Sequence, residues 1–499
     1  MAKGYQSPGV KYIEKEILSP QRGIVPSTIG VVGGATKGPL GIKKITSVAQ
    51  LRQVYGNITA NDYGLITAEG ILKYASEMFY CRVVSERAKK GTAGVEATDE
   101  VIFTTLTDDS TLNGATVQIK VDTTSEEVDY QLMKGKTILE KFKGFSAKED
   151  EPDYFIKEFN KRSEYLEVKR TAVALTGGKL KDVTLTIVDA HDGIEGLKAD
   201  DVIGGIEAFS NPESIDVSIL IAPGWSDPKV HGTLGKICQQ RGECMTLIDL
   251  PKGLTVKGAN DFVNGVNPTN EKWNNDQVAV YWPWGKMYSA ELDLTIDMPP
   301  SAYMGIQYAY SDSVAFPWSA VAGFGNSSGS RGRGVITELK GLEYYTNQVD
   351  RDNLYGEDNV INPVVDFQGK GIVAWGNKNT KRNPAGQNDS QYSKIHIRRL
   401  SNYVRKLVTS ISLNQLFNPN DPITWEEWRL AITPRLREIK DTRGIADFKV
   451  VMDETTVTEQ DQADGRMPGI IYVRPVNVAE FIPITYVATQ DGVIFREED

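Results

Sequence analysis

Side chains alternate with a period of two in two stretches rich in β-favouring residues, one near each end of the chain. Residues 9–17 alternate before any other pattern begins, and residues 479–488 do so again. A period of two residues predicts a β-strand in each stretch. Pro483 removes one backbone donor from the second strand, which favours an edge position for it. A short apolar run at 493–495 then follows a turn pair.

These terminal strands allow two interpretations. Each strand either closes the sheet of its own domain or pairs with a strand of a neighbouring copy, as in β-augmentation. Periodicity alone favours the first interpretation. For the second, the candidate pairing residues are Val10, Tyr12 and Ile13 near the first end, and Phe481, Ile482, Ile484, Tyr486, Val493 and Phe495 near the second.

Between these stretches the pattern alternates between strand and helix. Ser47 and Gln50 have the spacing of a capping box, which predicts a short helix that ends before Gly56. The other predicted elements are strands at 30–34, 80–84, 215–221, 244–250 and 278–281, and helices at 65–79, 201–209 and 229–241. Strands separated by helices of this length are typical of parallel βαβ units. The sequence therefore predicts an α/β core with a parallel sheet.

Residues 92–195 interrupt this alternation with a β-rich pattern. Six strands are predicted, at 101–107, 115–121, 128–133, 137–142, 166–175 and 183–188, with one helix at 153–164. Glycines flank the block on both sides. Insertions are tolerated where they leave the surface of a domain, so we expect an inserted domain with its own core.

The last part of the chain predicts a mixed α/β domain. A long helix is expected at 393–417, and a second helix begins at the capping box of Thr424 and Glu427 and is kinked at Pro434. A strand follows at 448–452. On the long helix, Arg398 and Arg405, and likewise Arg399 and Lys406, lie seven residues apart and form a basic stripe. Such a stripe is either a solvated helix face or a docking surface for an acidic partner. The fold class is α/β (α+β), multidomain.

Charge and cysteine content exclude several classes. A net charge of −10 argues against a nucleic-acid coat or a protein that binds anionic membranes. Three cysteines are too few for a disulfide framework and fit assembly in a reducing cytoplasm. No apolar run approaches the ~18 residues of a membrane span, and the first residues lack the apolar core of a signal peptide.

Candidate catalytic motifs are incomplete. Residues 325–329 match G-x-S-x-G around Ser327, but glycine and serine continue where the nucleophile elbow needs a helix. His191 lies between two aspartates in a predicted turn, a set that does not define a metal geometry. We therefore expect a structural protein with no catalytic, cofactor or metal site. A distant alternative is an α/β hydrolase that uses Ser327.

Ten short segments, in their order and spacing, make the chain resemble the contractile tail sheath proteins of bacteriophages. The segments are 7–14 (SPGVKYIE), 25–33 (VPSTIGVVG), 37–39 (KGP), 281–284 (YWPW), 299–301 (PPS), 362–363 (NP), 371–376 (GIVAWG), 395–400 (IHIRRL), 417–421 (FNPND) and 474–482 (RPVNVAEFI). Residues 92–195 and the Gly/Arg-rich loop at 325–334 have no counterpart in this resemblance.

The resemblance implies a domain plan. Residues 1–24 would be an arm that pairs with neighbouring subunits, and 25–91 with 196–345 the middle α/β domain. Residues 92–195 would be an outer insert, and 346–499 the inner sheath domain with a linking strand at 480–499.

The resemblance also implies an assembly. Hexameric rings would stack into a helical sleeve around a tail tube, with baseplate and tail terminator proteins as further partners, in a virion tail assembled in the host cytoplasm. Neither nucleic acid nor a membrane is expected as a partner. The sleeve would contract and drive the tube through the host envelope for genome delivery. Arg398, Arg405, Lys406, Arg435 and Arg437 are the candidates to face the tube. The alternative is the sheath of a phage-derived bacteriocin or another contractile injection system.

Overall fold

The computed structural model describes residues 28–480 and Pro483, except for positions 109, 123, 150, 174–179, 326–331, 357–358 and 383–389. The predicted pairing residues of both terminal strands lie outside the described residues, and so does Ser327. These are Val10, Tyr12, Ile13, Phe481, Ile482, Ile484, Tyr486, Val493 and Phe495.

The first described segment forms a strand–helix unit. Its elements are β1 (Ile29–Gly33), β2 (Gly41–Ile45), α1 (Val48–Tyr55), α2 (Tyr63–Ile71) and β3 (Met78–Arg82). The predicted cap of α1 is confirmed, because the Ser47 side chain accepts a hydrogen bond from the Gln50 amide. The helix predicted at 65–79 ends earlier, since its last residues belong to β3, which pairs in parallel with β1.

The β-rich insert follows. Its elements are β4 (Thr92–Ala93), β5 (Val101–Thr105), β6 (Thr116–Val121), β7 (Glu127–Lys134), β8 (Thr137–Ser146), α3 (Phe155–Arg162), β9 (Leu166–Arg170) and β10 (Val183–Thr186). The six predicted strands and the helix are confirmed. They form one sheet in the order β10-β6-β7-β8 and another in the order β4-β5-β9. Both sheets enclose a separate buried cluster that includes Phe103, Tyr130 and Phe159.

The strand–helix alternation then resumes. The elements are α4 (Ala199–Glu207), β11 (Ile219–Ile221), α5 (Pro228–Arg241), β12 (Met245–Asp249), α6 (Val256–Val263), β13 (Val278–Trp282), β14 (Gly285–Ser289), β15 (Leu294–Met298), α7 (Pro300–Val314), β16 (Leu339–Leu342), α8 (Gln348–Tyr355), β17 (Ile361–Phe367) and β18 (Gly371–Ala374). Strands β14, β15 and β16 form a small antiparallel sheet beside the main one.

The main sheet has eight strands in the order β18-β17-β13-β12-β11-β1-β3-β2. The six inner strands run parallel, and β18 and β2 are antiparallel at the two edges. Parallel strands need crossover helices, which cover both faces of the sheet. Helices α2 and α7 contribute to the buried cluster on one face, and α4 and α5 to the cluster on the other. The predicted parallel α/β core is confirmed.

The main sheet continues past residue 345, where the sequence placed the start of the inner domain. Strand β17 pairs in parallel with β13, so this sheet extends to Ala374. The division therefore moves to the residues between Ala374 and the next helix. A pairing between residues about 80 positions apart leaves no local signal in the sequence.

The C-terminal unit packs two helices against a two-stranded sheet. Its elements are α9 (Ile395–Leu413), α10 (Pro422–Asp441), β19 (Ile445–Val451), α11 (Glu459–Ala463) and β20 (Ile470–Pro475). Its buried cluster includes Trp425, Trp428 and Leu436. The predicted cap of α10 at Thr424 is wrong: the helix begins at Pro422, because the Asp421 carboxylate accepts from the amides of Ile423 and Thr424. Proline is favoured at this first helical position.

Candidate assembly surface

Arg82, the last residue of β3, joins the insert to the main sheet. Its buried guanidinium donates to both carboxylate oxygens of Asp108 in the insert, at 2.9 Å each. It also donates to the carbonyl of Asp192 at 3.1 Å, and to those of Ala35 and Gly38, at 2.9 and 2.7 Å, in the loop after β1. These contacts lie at the carboxyl end of β3 and β1. The insert is therefore held where the parallel strands have their carboxyl ends, a side of the sheet that we call the carboxyl edge.

Helix α9 lies on the opposite side, across the amino ends of the parallel strands, which we call the amino edge. Arg398 Nη1 is 3.0 Å from the Asp276 carboxylate, and Asn402 exchanges amide hydrogen bonds with Gln277, just before β13. Two turns later, Lys406 Nζ contacts Asp216 and, at 3.2 Å, Ser218 Oγ, just before β11. The helix thus runs along the amino edge from β13 towards β11.

The predicted basic stripe is not an exposed surface. Arg398 pairs with Asp276, Arg399 with Asp312 and Lys406 with Asp216, and all three side chains are almost completely buried. Arg405 is exposed, but its guanidinium lies directly over Gly242 at the end of α5. The interpretation as a solvated face is therefore wrong for three of the four positions. Their partners lie 87 to 190 residues away, which no spacing along the helix reveals.

Arg435 and Arg437 lie on the exposed face of α10. Arg435 Nη1 is 3.7 Å from Glu438 on the same helix, and both of these side chains are about half exposed. Exposed pairs of this kind contribute ~0–1 kcal/mol, so they do not hold these side chains away from a partner. Of the five predicted tube-facing residues, Arg405, Arg435 and Arg437 are exposed, and the Arg405 guanidinium lies over Gly242.

Strands β19 and β20 form a sheet of only two strands. The pairs Phe448 with Val473 and Val450 with Ile471 lie on one face, and Phe448, Val450 and Ile471 pack against the cluster around α10. The opposite face, with Tyr472, is exposed. Within the part of the chain that the structure describes, neither strand has a second partner. A two-stranded sheet is marginal alone, and its free edges are templates for further strands.

Strand β20 was not predicted from the sequence. Its residues 470–473 are β-favouring and follow a Pro-Gly pair, a signal that was available. The predicted strand began later, at residue 479.

The two terminal segments leave the amino edge at different places. The Thr28 carbonyl, at the start of β1, accepts from the Ser218 amide at 2.7 Å. At the other end, Glu480 is 2.8 Å from Lys394 Nζ and 3.1 Å from the Tyr355 hydroxyl, beyond β13 in the sheet order. Since strands are ~4.8 Å apart, roughly 15–20 Å of sheet edge separates the two exits.

His396 holds the segment that leads to Glu480. Burial lowers the pKa of His396 to about 4, so its ring is neutral. Its Nδ1 accepts from the Asn377 side-chain amide at 2.7 Å, which leaves the proton on Nε2, 3.3 Å from the Val476 carbonyl. The ring therefore ties the segment after β20 to the first turn of α9.

Asp249 and His191, two further residues with titratable side chains, have hydrogen-bond partners within the fold. Burial raises the pKa of Asp249, at the end of β12, to about 6. Its carboxylate accepts from Ser301 N and Oγ and from the Gly224 amide, which fixes the start of α7. His191 Nδ1 accepts from the Gly193 amide, as expected for a turn.

The described ranges lack both a candidate metal site and a membrane-spanning helix. Those ranges hold no cluster of three His, Cys, Asp or Glu residues suited to a metal ion. None of the helices in them combines the length and apolar character needed to cross a bilayer.

Residues 387–489 match the family model of the phage tail sheath C-terminal domain. The tail sheath protein of Vibrio phage KVP40 is 30% identical over 321 residues, which cover 60% of this chain and 46% of that protein. The tail sheath protein of Enterobacteria phage T4 is 26% identical over 318 residues, with the same coverage of 60% and 46%. The chain thus spans about half the length of these curated relatives.

Solved sheath structures share the fold. The sheath tail protein of Desulfitobacterium hafniense superposes with a TM-score of 0.59 at 11% identity, over 94% of this chain and 100% of that one. The contracted helical sheath of the anti-feeding prophage superposes with a TM-score of 0.56 at 15% identity, over 96% and 98%. The contracted PVC sheath of an extracellular contractile injection system gives 0.56 at 17% identity, over 98% and 99%.

Proposed function

We propose that this chain, a relative of the contractile tail sheath proteins, is the structural subunit of a sheath that surrounds a tail tube. The observation that carries the proposal is the two-stranded sheet of β19 and β20, whose edges lack further partners among the described residues. Terminal segments that leave the amino edge at two separate places are suited to reach two different neighbours. Strands from neighbouring copies would complete the sheet and link the subunits.

The strength of this linkage fits a sleeve that changes length. About four to six backbone hydrogen bonds, at ~0.5–1.5 kcal/mol net each, give a few kcal/mol per added strand. Repeated at every subunit, that energy holds the sleeve together while other contacts break and reform. The work of contraction then comes from the free-energy difference between two packings of the same subunits. This function requires no catalytic residue and no cofactor.

The tube contact has to release, which favours exposed charges over buried apolar surface. We assign it to Arg435 and Arg437 on α10, because Arg398 and Lys406 are paired within the chain and Arg405 lies over Gly242. The double charge reversal Arg435→Glu with Arg437→Glu should reduce sheath assembly on isolated tubes. Arg429→Glu is the matched control, since Arg429 lies on the same helix and is also partly exposed. Equal assembly by the double variant and the wild type would reject the assignment.

Negative-stain electron microscopy tests the proposal itself. The full chain is compared with a variant that lacks residues 1–17 and 481–499 but keeps Glu480 and its contacts with Lys394 and Tyr355. We expect hollow striated tubes from the full chain and none from the truncated variant. Tubes from both proteins would retain the sheath and reject the linking strands. Small discrete particles from both would reject the sheath.

A second candidate is the sheath of an injection machine without a capsid. The fold similarity to the anti-feeding prophage and PVC sheaths favours it. In the first candidate the subunit belongs to a virion tail, assembles in the host cytoplasm, and meets baseplate and terminator proteins. A genomic neighbourhood with capsid genes supports the virion, and one without them supports the second candidate.

A further inference from the structure

The turn between α9 and α10 exposes large apolar side chains. Leu413, Leu416, Phe417 and Ile423 are 62%, 59%, 104% and 70% exposed, and we call these four residues the apolar tip. Elsewhere on α9 the apolar side chains, such as Leu400 and Leu407, are buried. An apolar cluster of this kind in water marks a surface that another element covers.

Phe417 is unusual in backbone as well as exposure. Its φ is +68°, in the left-handed region that bulky L residues rarely adopt, and its ring lies fully in solvent. Such a conformation costs about 1–2 kcal/mol. Strain of this kind persists at contact sites, where a projecting aromatic ring serves as an anchor. Phe417 therefore has the properties of the central contact of the apolar tip.

The course of α9 shows which part of the chain is near the tip. From Asp276 before β13 to Ser218 before β11, the helix follows the strand order towards β1. After Lys406 it continues for seven residues to Leu413, which is ~10 Å at 1.5 Å per residue. Ser218 also donates to the Thr28 carbonyl, where residues 1–27 join the sheet. The tip thus extends past β11 on the side where those residues join.

Reach makes the contact physically possible. Summing the chain of contacts from Thr28 through Ser218 and Lys406 to Leu416 places the tip within ~30 Å of Thr28. Ten residues of extended chain, 18–27, span up to ~33–36 Å. Leu18, the apolar residue at the far end of this segment, is therefore within reach of the tip.

We propose that residues 18–27 of the same chain extend to the apolar tip, where Leu18 packs against Phe417 and its neighbours. A segment tethered so close has an effective concentration in the millimolar range, which favours it over an untethered partner. The contact gives the N-terminal arm a fixed base on its own subunit. The inference concerns the folded subunit and stands whether or not the chain forms a sheath.

Cysteine crosslinking of the full chain tests the proposal. The double variant Ser19→Cys with Asn418→Cys keeps Leu18 and Phe417, and it is treated, in dilute solution, with a short bismaleimide; Asn418 is exposed. The native cysteines Cys81, Cys238 and Cys244 are buried and react slowly. Ser19→Cys with Leu430→Cys is the matched control, because Leu430 is 62% exposed but lies two turns beyond Ile423 along α10.

A crosslink within one chain, at least fivefold more abundant than in the control, is the expected result. A crosslinked dimer in its place would assign the tip to another copy, and no crosslink above the control would assign it to a different partner. Either outcome overturns the proposal.

Hydrogen exchange gives a second readout that needs no new cysteine. Phe417→Asn removes the ring while keeping a residue that tolerates the left-handed backbone. Amides of residues 18–27 should exchange at least tenfold faster in this variant than in the full wild-type chain. Equal exchange in both proteins would overturn the proposal. Since the exchange is measured on dispersed protein, its outcome is separate from tube formation in the microscope.

Discussion

At the scale of single residues, Arg82 carries its charge into the interior, where its side chain is completely buried. All of its contacts are hydrogen bonds to the Asp108 carboxylate or to backbone carbonyls. A buried ion pair adds little net stability, but removing one partner leaves the other uncompensated. Asp108, largely buried in the insert, thus depends on a residue of the main sheet.

Arg82→Met should lower the free energy of unfolding by about 3–5 kcal/mol, because it leaves the Asp108 carboxylate buried without its cation. Urea denaturation measures the loss. Lys89→Met is the control: Lys89 pairs with Asp189 across the same junction, at 3.4 Å, but both side chains are exposed. That exposed pair should cost less than ~1 kcal/mol. Similar losses in both variants would contradict the role of burial.

Buried titratable groups make the free energy of unfolding depend on pH in two opposite directions. Burial lowers the pKa of His231 and of His396 from 6.5 to about 4, so the unfolded chain binds protons first as the pH falls. Their contribution to stability is present above pH 6.5 and is lost between pH 6.5 and about 4. For Asp249 the pKa is raised from 3.8 to about 6, so this carboxyl contributes stability at low pH and loses it as the pH rises through 6.

Between pH 7 and pH 5, protonation of His396 on unfolding should lower the wild type's free energy of unfolding by about 2 kcal/mol. In His396→Gln this part of the loss should be absent. Glutamine keeps a donor for the Val476 carbonyl but does not take up a proton. Asp249→Asn should act in the opposite direction and make the loss over the same interval larger. Urea denaturation at the two pH values measures both variants. An unchanged pH dependence in His396→Gln would show that this ring does not titrate on unfolding.

At the scale of elements, the helices depend on where their prolines lie. In α10, Pro422 occupies the first turn, where its missing N–H removes no intrahelical bond. Pro434 lies inside the same helix, which continues through it to Asp441. There the missing N–H leaves the Leu430 carbonyl without its donor four residues ahead.

Pro434→Ala should therefore raise the free energy of unfolding by roughly 2 kcal/mol, because it restores the helical bond to Leu430 and relieves the ring contact. Thermal and urea denaturation measure the gain. Pro422→Ala, in the same helix, is expected to be neutral or slightly destabilising. If both substitutions had the same effect, the position within the helix would not be the cause.

At the scale of the whole molecule, different parts of the chain are attached to the carboxyl edge and to the amino edge of the main sheet. The insert is attached at the carboxyl edge, through Arg82, Asp108 and Asp192. Helix α9 and both terminal exits lie at the amino edge. The strands of the sheet separate the insert from every contact that we assign to linkage. Changes in the insert should consequently leave assembly intact.

Replacing residues 90–190 by Asn-Gly should yield a folded protein that still forms tubes, with a smaller outer diameter. Lys89 and His191 form an antiparallel bridge, so a two-residue turn closes the gap. Arg82→Met accompanies the replacement, because Asp108 is removed. Electron microscopy measures the tubes, and thermal denaturation serves as the folding control. A variant that folds but forms no tubes would place a linking contact in the insert.

Much of the secondary structure follows from the sequence alone, because its causes are local. The Ser47 cap, the six strands of the insert and the helices of the α/β core depend on side chains a few residues apart. Hairpin neighbours such as β6 and β7 are close in sequence, so their alternation predicts their pairing. The insert and the parallel core were recognisable for this reason.

The tertiary structure decided which charges are exposed and where the units divide. Arg398, Arg399 and Lys406 have the spacing of an exposed stripe, yet each pairs with an acid from α7 or from a segment just before a main-sheet strand. Strand β17 joins the main sheet through β13, and Phe417, in the turn after α9, is exposed. Periodicity shows that a helix has one apolar face and one polar face. Which face meets protein and which meets water depends on pairings across the whole chain, because burial is a property of the folded surface.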